Sequence, residues 1–288
     1  MQIGIGLPAR LGDTSPAILL DWARRAEDGP FSSIAVMDRV VYPAFEPLVT
    51  LAAAAAVTTR IRLLTSVLLG PTRETTLLAR QAASIDALSG GRLSIGIGVG
   101  VREDDYVVSG RDFHARGARL DEQMPVLREI WAGKHPAGRI GPGPSRDGGP
   151  EVLFGGYIDA VARRIAAWGD GFMAPGGGDP ARMAALWQRI LDEWTAAGRS
   201  GRPRRLGGSY VALGPNAEAA ARSHIDSWYG FDPALAERRL ASIPMSESAV
   251  RDVIARNADL GVDELVLRPC VPDLDQLDRL ADLVALAS

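Results

Sequence analysis

The sequence predicts an α/β fold, a single-domain (β/α)8 (TIM-type) barrel, on three observations. Short β-type apolar runs alternate with longer helical ones from end to end. Eight such β-then-α units can be read. The 288 residues keep one composition throughout, a length that an α/β barrel uses as one domain. Strict β-then-α order builds a parallel sheet clothed in helices. Eight units suit a closed barrel better than the doubly wound alternative, an open sheet of five or six strands.

The units follow in order. Residues 3–7 read as a strand, and in residues 16–27 Ile18, Leu19, Trp22 and Ala26 recur at helical spacing. A second strand at 33–37 precedes an alanine-rich helix at 46–58, and a third at 62–69 precedes a helix at 75–88 that Ser89, Gly90 and Gly91 stop. The fourth strand, 93–98, leads through a polar loop (102–111) to a helix at 117–132 with Leu120, Met124, Leu127 and Ile130 on one face. Residues 133–150, rich in glycine and proline, form a short insertion after this fourth unit, outside the core. Alternation resumes with strand 152–154, helix 158–168, strand 171–173 and helix 180–197. Strand 208–213 and helix 217–229 follow, residues 231–244 break the rhythm, and helix 247–260, strand 264–267 and helix 274–286 close the chain.

Composition excludes several functions. Hydrophobic residues at 47% and charged ones at 23% are an ordinary globular balance, and a net charge of −3 offers no attraction to nucleic acid or an anionic membrane. A single cysteine, Cys270, forms no internal disulfide, and His114, His135 and His224 do not stand at metal-ligand spacing. The N-terminal stretch has no signal-peptide pattern, and the longest apolar run, 51–57, is too short to span a bilayer, so a cytoplasmic protein is expected.

In such a barrel chemistry collects at the C-terminal ends of the strands. Those positions hold Asp38-Arg39, Arg73, Arg102 and Arg268, four arginines on one rim of an acidic protein. Arginine suits phosphate and carboxylate geometry, so the set reads as an anion site. The alternative is pairing with rim acids such as Asp38, Glu103 and Asp104. The glycines at 96, 98 and 100 lack the strand–turn–helix context of a dinucleotide fingerprint; they read instead as a strand end where a flat ligand can approach backbone. Gly155, Gly156 and Tyr157 run from the fifth strand into a helix, offering unpaired amides to an anion or forming a plain βα turn. Gly176–Gly178 have the same placing, with Asp179 as helix cap and Pro180 as first helical residue. No G-x-S-x-G elbow is present. His114 reads as a surface histidine on a loop, and Tyr42, Phe45, Tyr106, Phe113 and Tyr157 as aromatics near the mouth. Without a nucleophile set, a cofactor is expected to supply the reactivity.

Four segments resemble the bacterial-luciferase-like flavin oxidoreductases over nearly the whole chain: residues 33–39, 55–67, 80–93 with the glycines that follow, and 116–122. The resemblance implies a barrel holding reduced FMN, or the deazaflavin F420, across its mouth. It implies contacts from Thr65, Ser66, Gly98, Val99 and Arg102, and a phosphate at Gly155, Gly156 and Tyr157, shared with Gly176 and Gly177. It also implies a non-proline cis peptide at Ser66–Val67 and a family insertion cut short at 133–150. Arg102 is expected to stabilise anionic flavin and Asp38 to act as proton partner, the two catalytic candidates. Members either oxygenate small organic substrates with reduced FMN from a separate flavin reductase, or pass hydride with F420. Many F420 users carry Asp-His where this chain has Asp38-Arg39, which favours FMN. The alternatives are an F420-dependent reductase or dehydrogenase and a non-catalytic flavin-binding barrel. A homodimer is a further expectation.

Overall fold

The computed structural model describes residues 1–8, 15–176 and 179–286. Eight parallel strands close a barrel in sequence order: β1 (Gln2–Gly6), β2 (Ser33–Val36), β3 (Arg62–Leu69), β4 (Leu93–Gly98), β5 (Glu151–Gly155), β6 (Gly171–Met173), β7 (Arg204–Val211) and β8 (Glu264–Pro269). Closure is made by β8 against β1, with Gln2 opposite Glu264 and Ile5 opposite Leu267.

Helices α1 (Pro16–Asp28), α2 (Pro47–Ala56) and α3 (Thr75–Leu88) follow the first three strands, the last two after local caps from Glu46 and Glu74. Two helices follow β4, the short α4 (Glu103–Val108) and α5 (Arg116–Trp131). Then come α6 (Ala160–Trp168), α7 (Pro180–Ala196), the pair α8 (Ala217–Tyr229) and α9 (Pro233–Ala241), α10 (Glu247–Asp259) and α11 (Leu274–Ala285). Asp179 caps α7 through the Ala181 amide at 3.0 Å, with Pro180 first in the helix. No helix among the described residues is long and apolar enough to cross a membrane.

Packing follows the barrel logic. Between sheet and helices runs one continuous layer, with Trp22, Phe31, Leu51, Ile97, Phe154 and Leu280 buried in it. Inside the barrel sit Ala35, Leu64, Leu153, Met173, Leu206 and Val266, a separate plug with Val67 against it. At the N-terminal end the interior turns polar. Glu264, 1% exposed, accepts from Ser32 and Ser33 hydroxyls at 2.5 and 2.6 Å and pairs with Arg204, which also meets Glu151 at 2.8 Å.

Two expectations change, and one segment is located. Residues 102–111 are not all loop: α4 forms, with Glu103, Asp104 and Asp105 in a first turn whose dipole favours acids. Residues 231–244 contain α9, started by Asp232 accepting from the Leu235 amide at 3.0 Å and by Pro233. The glycine-rich stretch 133–150 lies at the barrel's opposite end from the mouth: the Ser145 amide bonds Asp86 at 2.7 Å and Arg146 pairs with Asp170, just ahead of β6, at 2.8 Å. It therefore cannot border a ligand at the mouth. The segment that reaches the mouth is the α8–α9 pair after β7, through Tyr229 and Arg239.

Candidate functional site

At the C-terminal mouth the strands end around one cleft of about 1070 Å³, open side included. Its floor is Val67. The β3–β4 register shifts between Thr65 and Leu68, and the Ser66–Val67 peptide is cis, as the resemblance implies. Gly98 and Gly155 flank this residue: a Cβ on either would fall 2.9 or 2.8 Å from a Val67 methyl. Their missing side chains thus make room for Val67 first, and the ligand-facing surface is the valine they admit, a correction to the flat-backbone reading.

Ser66, Gly98, Val99, Gly155, Gly156, Tyr157 and Gly176 all line the cleft, so these expected contacts are brought together. Gly177 lies outside the described residues. Thr65 does not line the cleft: it is 0% exposed and its Oγ1 donates to the Gly96 carbonyl at 2.8 Å. Tyr157 does not begin a helix, because α6 starts at Ala160 and residues 156–159 form the turn before it. Gly156 has φ +152°, which favours glycine, and a Cβ there would meet Val161 at 2.8 Å.

The rim arginines divide. Arg39 donates to Asp105 at 2.8 Å, Arg73 to Asp38 at 2.9 Å and Glu46 at 2.6 Å, and Arg102 to Asp104 at 3.0 Å while stacking 4.5 Å over Phe231. For these three the pairing alternative holds, and Arg102, outside the cleft lining, is not a cation free for a ligand there. Asp38 is likewise enclosed: its carboxylate accepts from the Leu69 amide at 2.9 Å as well as from Arg73. Burial pushes the Asp38 carboxyl up, with the Arg73 charge and the Leu69 amide pulling against it. Both catalytic candidates therefore stand with their charges already answered.

Arg268 is different. From the end of β8 it reaches across the mouth, and its Nη2 donates to Ser66 Oγ on β3 at 2.8 Å. Its path crosses Gly208, where a Cβ would lie 2.7 Å from the guanidinium carbon. Opposite it, Arg239 of α9 is buried and donates to the Tyr157 hydroxyl at 2.5 Å, with its ion 5.5 Å over the Tyr229 ring. The Nε atoms of both arginines are buried without a hydrogen-bond partner. Burial raises the Tyr157 phenol and the Arg239 charge draws it down, burial prevailing. The Tyr210 and Tyr229 hydroxyls meet at 3.0 Å on the same wall. Of the cleft's arginines Arg164 is paired with Asp121 at 2.6 Å, while Arg239 and Arg268 meet hydroxyls, and such a cleft with phenols and amides suits an elongated anionic ligand.

The sequence reading passed over Arg239, Tyr210 and Tyr229, all in or beside the α8–α9 pair or β7. The Asp232-Pro233 start was the available signal for α9. Of the mouth aromatics, Tyr106 turns inward to donate to the Val99 carbonyl at 2.5 Å, and Tyr42 stacks on Trp228 at 5.0 Å. His114 is exposed, edge-on to Phe113.

The sequence profile of the luciferase-like monooxygenases matches residues 1–278, and the chain belongs to that family. An uncharacterised protein of Mycobacterium tuberculosis is 32% identical over 210 residues, 62% of this chain and 72% of its own. An F420-dependent glucose-6-phosphate dehydrogenase of Kribbella flavida is 32% identical over 196 residues, 62% of this chain and 58% of its own. Among solved structures, a monooxygenase from Streptomyces bottropensis superimposes with TM-score 0.79 at 21% identity, over 99% of this chain and 98% of that one. An F420-dependent secondary alcohol dehydrogenase, solved with an F420-acetone adduct, gives 0.82 at 18% identity with both chains fully covered. These two likenesses concern the fold.

Proposed function

We propose that the protein is a flavin-dependent monooxygenase that uses reduced FMN and O2 on a small organic substrate, with a separate reductase supplying the reduced flavin. The carrying observation is the pair of buried Arg239 and half-buried Arg268, which line the cleft and are bonded to a phenol and a hydroxyl instead of carboxylates. Gly156 and the turn ahead of α6 would hold the phosphate, with Arg239 beside Tyr157 as its counter-charge. Val67, Ser66 and Gly176 would receive the ring system. Bound reduced FMN supplies the electrons that activate O2. Arg268, fixed by Ser66, places a permanent positive charge at the cleft floor, where it favours an anionic reduced ring. Arg268 thereby takes the role first expected of Arg102. The Tyr210–Tyr229 hydroxyl pair, 3.0 Å apart, and not the enclosed Asp38, offers exchangeable protons in the cleft wall.

A second reading, hydride transfer with F420, is favoured by the 32% identity to a dehydrogenase named for that cofactor. It uses the same arginines. Thermal unfolding with FMN or F420 at about 100 times the dissociation constant separates them: binding adds about 2.7 kcal/mol, an upward shift of about 5–10 °C for the cofactor used. A shift with FMN, followed by reductase-coupled O2 uptake above the reductase-only rate on candidate substrates, is the expected result. A shift with F420 alone replaces the reading by the second. A shift with neither overturns both.

A further inference from the structure

Beside the glycine-edged cleft lies a second lobe of about 600 Å³, open side included, that meets it along Ser66, Val67 and Tyr229. Its apolar lining includes Met37, Leu69, Val101 and three aromatic rings, Trp228, Tyr229 and Phe231. The two lobes differ in charge. In the first, Arg164 is paired with Asp121 at 2.6 Å, but Arg116, Arg239 and Arg268 bond a carbonyl, a phenol and a hydroxyl, so three charges there have no carboxylate partner. In the second every charge is answered from within. Asp38 holds Arg73, Arg39 holds Asp105, and Arg102 holds Asp104. Asp105 also accepts the Val40 and Val41 amides at 2.9 and 2.8 Å, so both of its oxygens are engaged. The Arg39 and Arg102 guanidiniums lie over Trp228 and Phe231, 5.6 and 4.5 Å from the ring centroids. A charged ligand entering here would have to break one of these pairs or lie desolvated beside them, and both are costly. A flat apolar ligand would gain aromatic walls without either cost.

We propose that this second lobe is the substrate chamber and that the substrate class is an uncharged, planar aromatic molecule. The assignment of the first lobe to the cofactor rests on the function proposed above; the chemistry of the second does not. The lobe thus differs from what a sugar phosphate needs, since such a ligand would bring negative charge to a wall with no unengaged cation.

Calorimetric titration of the full chain with 2-naphthol and 2-naphthoate, in phosphate buffer so that the first lobe's arginines are already served, tests this. The expected result is saturable binding of 2-naphthol and at least tenfold weaker binding of 2-naphthoate. Phe231→Ala weakens 2-naphthol at least fivefold. Asp104→Asn, which frees Arg102, narrows the gap between naphthol and naphthoate. Equal affinity for the two probes in the wild type, or a Phe231→Ala variant that binds 2-naphthol normally, overturns the proposal. If these probes behave as stated while neither FMN nor F420 shifts the unfolding temperature, the cofactor reading falls and the aromatic chamber stands.

Discussion

Arg268 owes its position to a missing atom. On β7 a glycine interrupts a strand, ordinarily a loss of packing and of conformational order, and the reason is that the Arg268 side chain lies where its Cβ would be. Gly208 does not have a positive φ, so alanine suits its backbone and only the arginine is disturbed. Gly208→Ala is therefore expected to fold, with an unfolding temperature near the parent's, and to lose at least tenfold in cofactor affinity as Arg268 swings off Ser66. Titration of FMN or F420 against the variant checks this; parental affinity would show that the guanidinium does not contact the ligand. Gly156 carries a companion expectation. Its φ of +152° and the nearby Val161 methyl resist any side chain, and an aspartate adds negative charge where the phosphate is assigned. Gly156→Asp should abolish the cofactor-induced rise in unfolding temperature, and a variant that folds and keeps the full rise would move the phosphate elsewhere on the rim.

Elements were legible in proportion to how local their causes are. The bounds of β3, α3, β4, β6 and α8 coincide with the expected ranges, because apolar runs and stop signals specify them within a few residues. β7 was displaced: it runs Arg204–Val211, where residues 208–213 were expected. Two arginines and two glycines do not look like a strand, yet Arg204 serves the polar barrel end and Gly208 serves Arg268, both long-range reasons. The site followed the same rule. The glycine turns were visible as turns, but whether Arg102 or Arg268 keeps an unanswered charge depends on acids brought in from other elements. Asp38 and Asp104 could be named as partners from the sequence; which arginine each would take could not. One joint between elements gives a pH prediction. Glu27, near the end of α1, accepts from the Thr59, Arg60 and Ile61 amides at 2.8, 2.7 and 2.8 Å and so fixes the entry to β3. Its partial burial raises its pKa, but the three amides prevail and hold it at about 2, against 4.5 ordinarily. A lowered folded-state value contributes stability that is complete above about pH 4.5 and is lost as pH falls towards 2. Glu27→Gln should flatten that part of the acid limb in urea midpoints measured at pH 5, 4 and 3; a variant with the parental slope would deny Glu27 this role.

Across the whole molecule the two ends of the barrel divide the work. The mouth keeps Arg239 and Arg268 bonded to hydroxyls among rim arginines that are paired with acids, whereas the opposite end pairs its cations and seals the ring. Glu264 is the centre of that seal: it sits opposite Gln2 on one side and Leu206 on the other, joining β8 to both neighbours, and binds two hydroxyls from the entry to β2 together with Arg204. Removing one member of such a buried set leaves its partners without compensation. Arg204 would keep Glu151 at 2.8 Å, so the loss falls at the lower end of what broken buried pairs cost, about 3 kcal/mol for Glu264→Ala. Glu264→Gln retains an acceptor for the serines and should lose about 1–2 kcal/mol. Because the plug of Leu64, Leu153, Leu206 and Val266 separates this end from the cleft, neither variant should alter the cofactor-induced temperature shift. Urea unfolding and cofactor titration on the same samples test both halves. Stability lost with affinity kept is the expected pair, and a Glu264→Gln variant that weakens the cofactor tenfold would show that the two ends are coupled through the barrel after all.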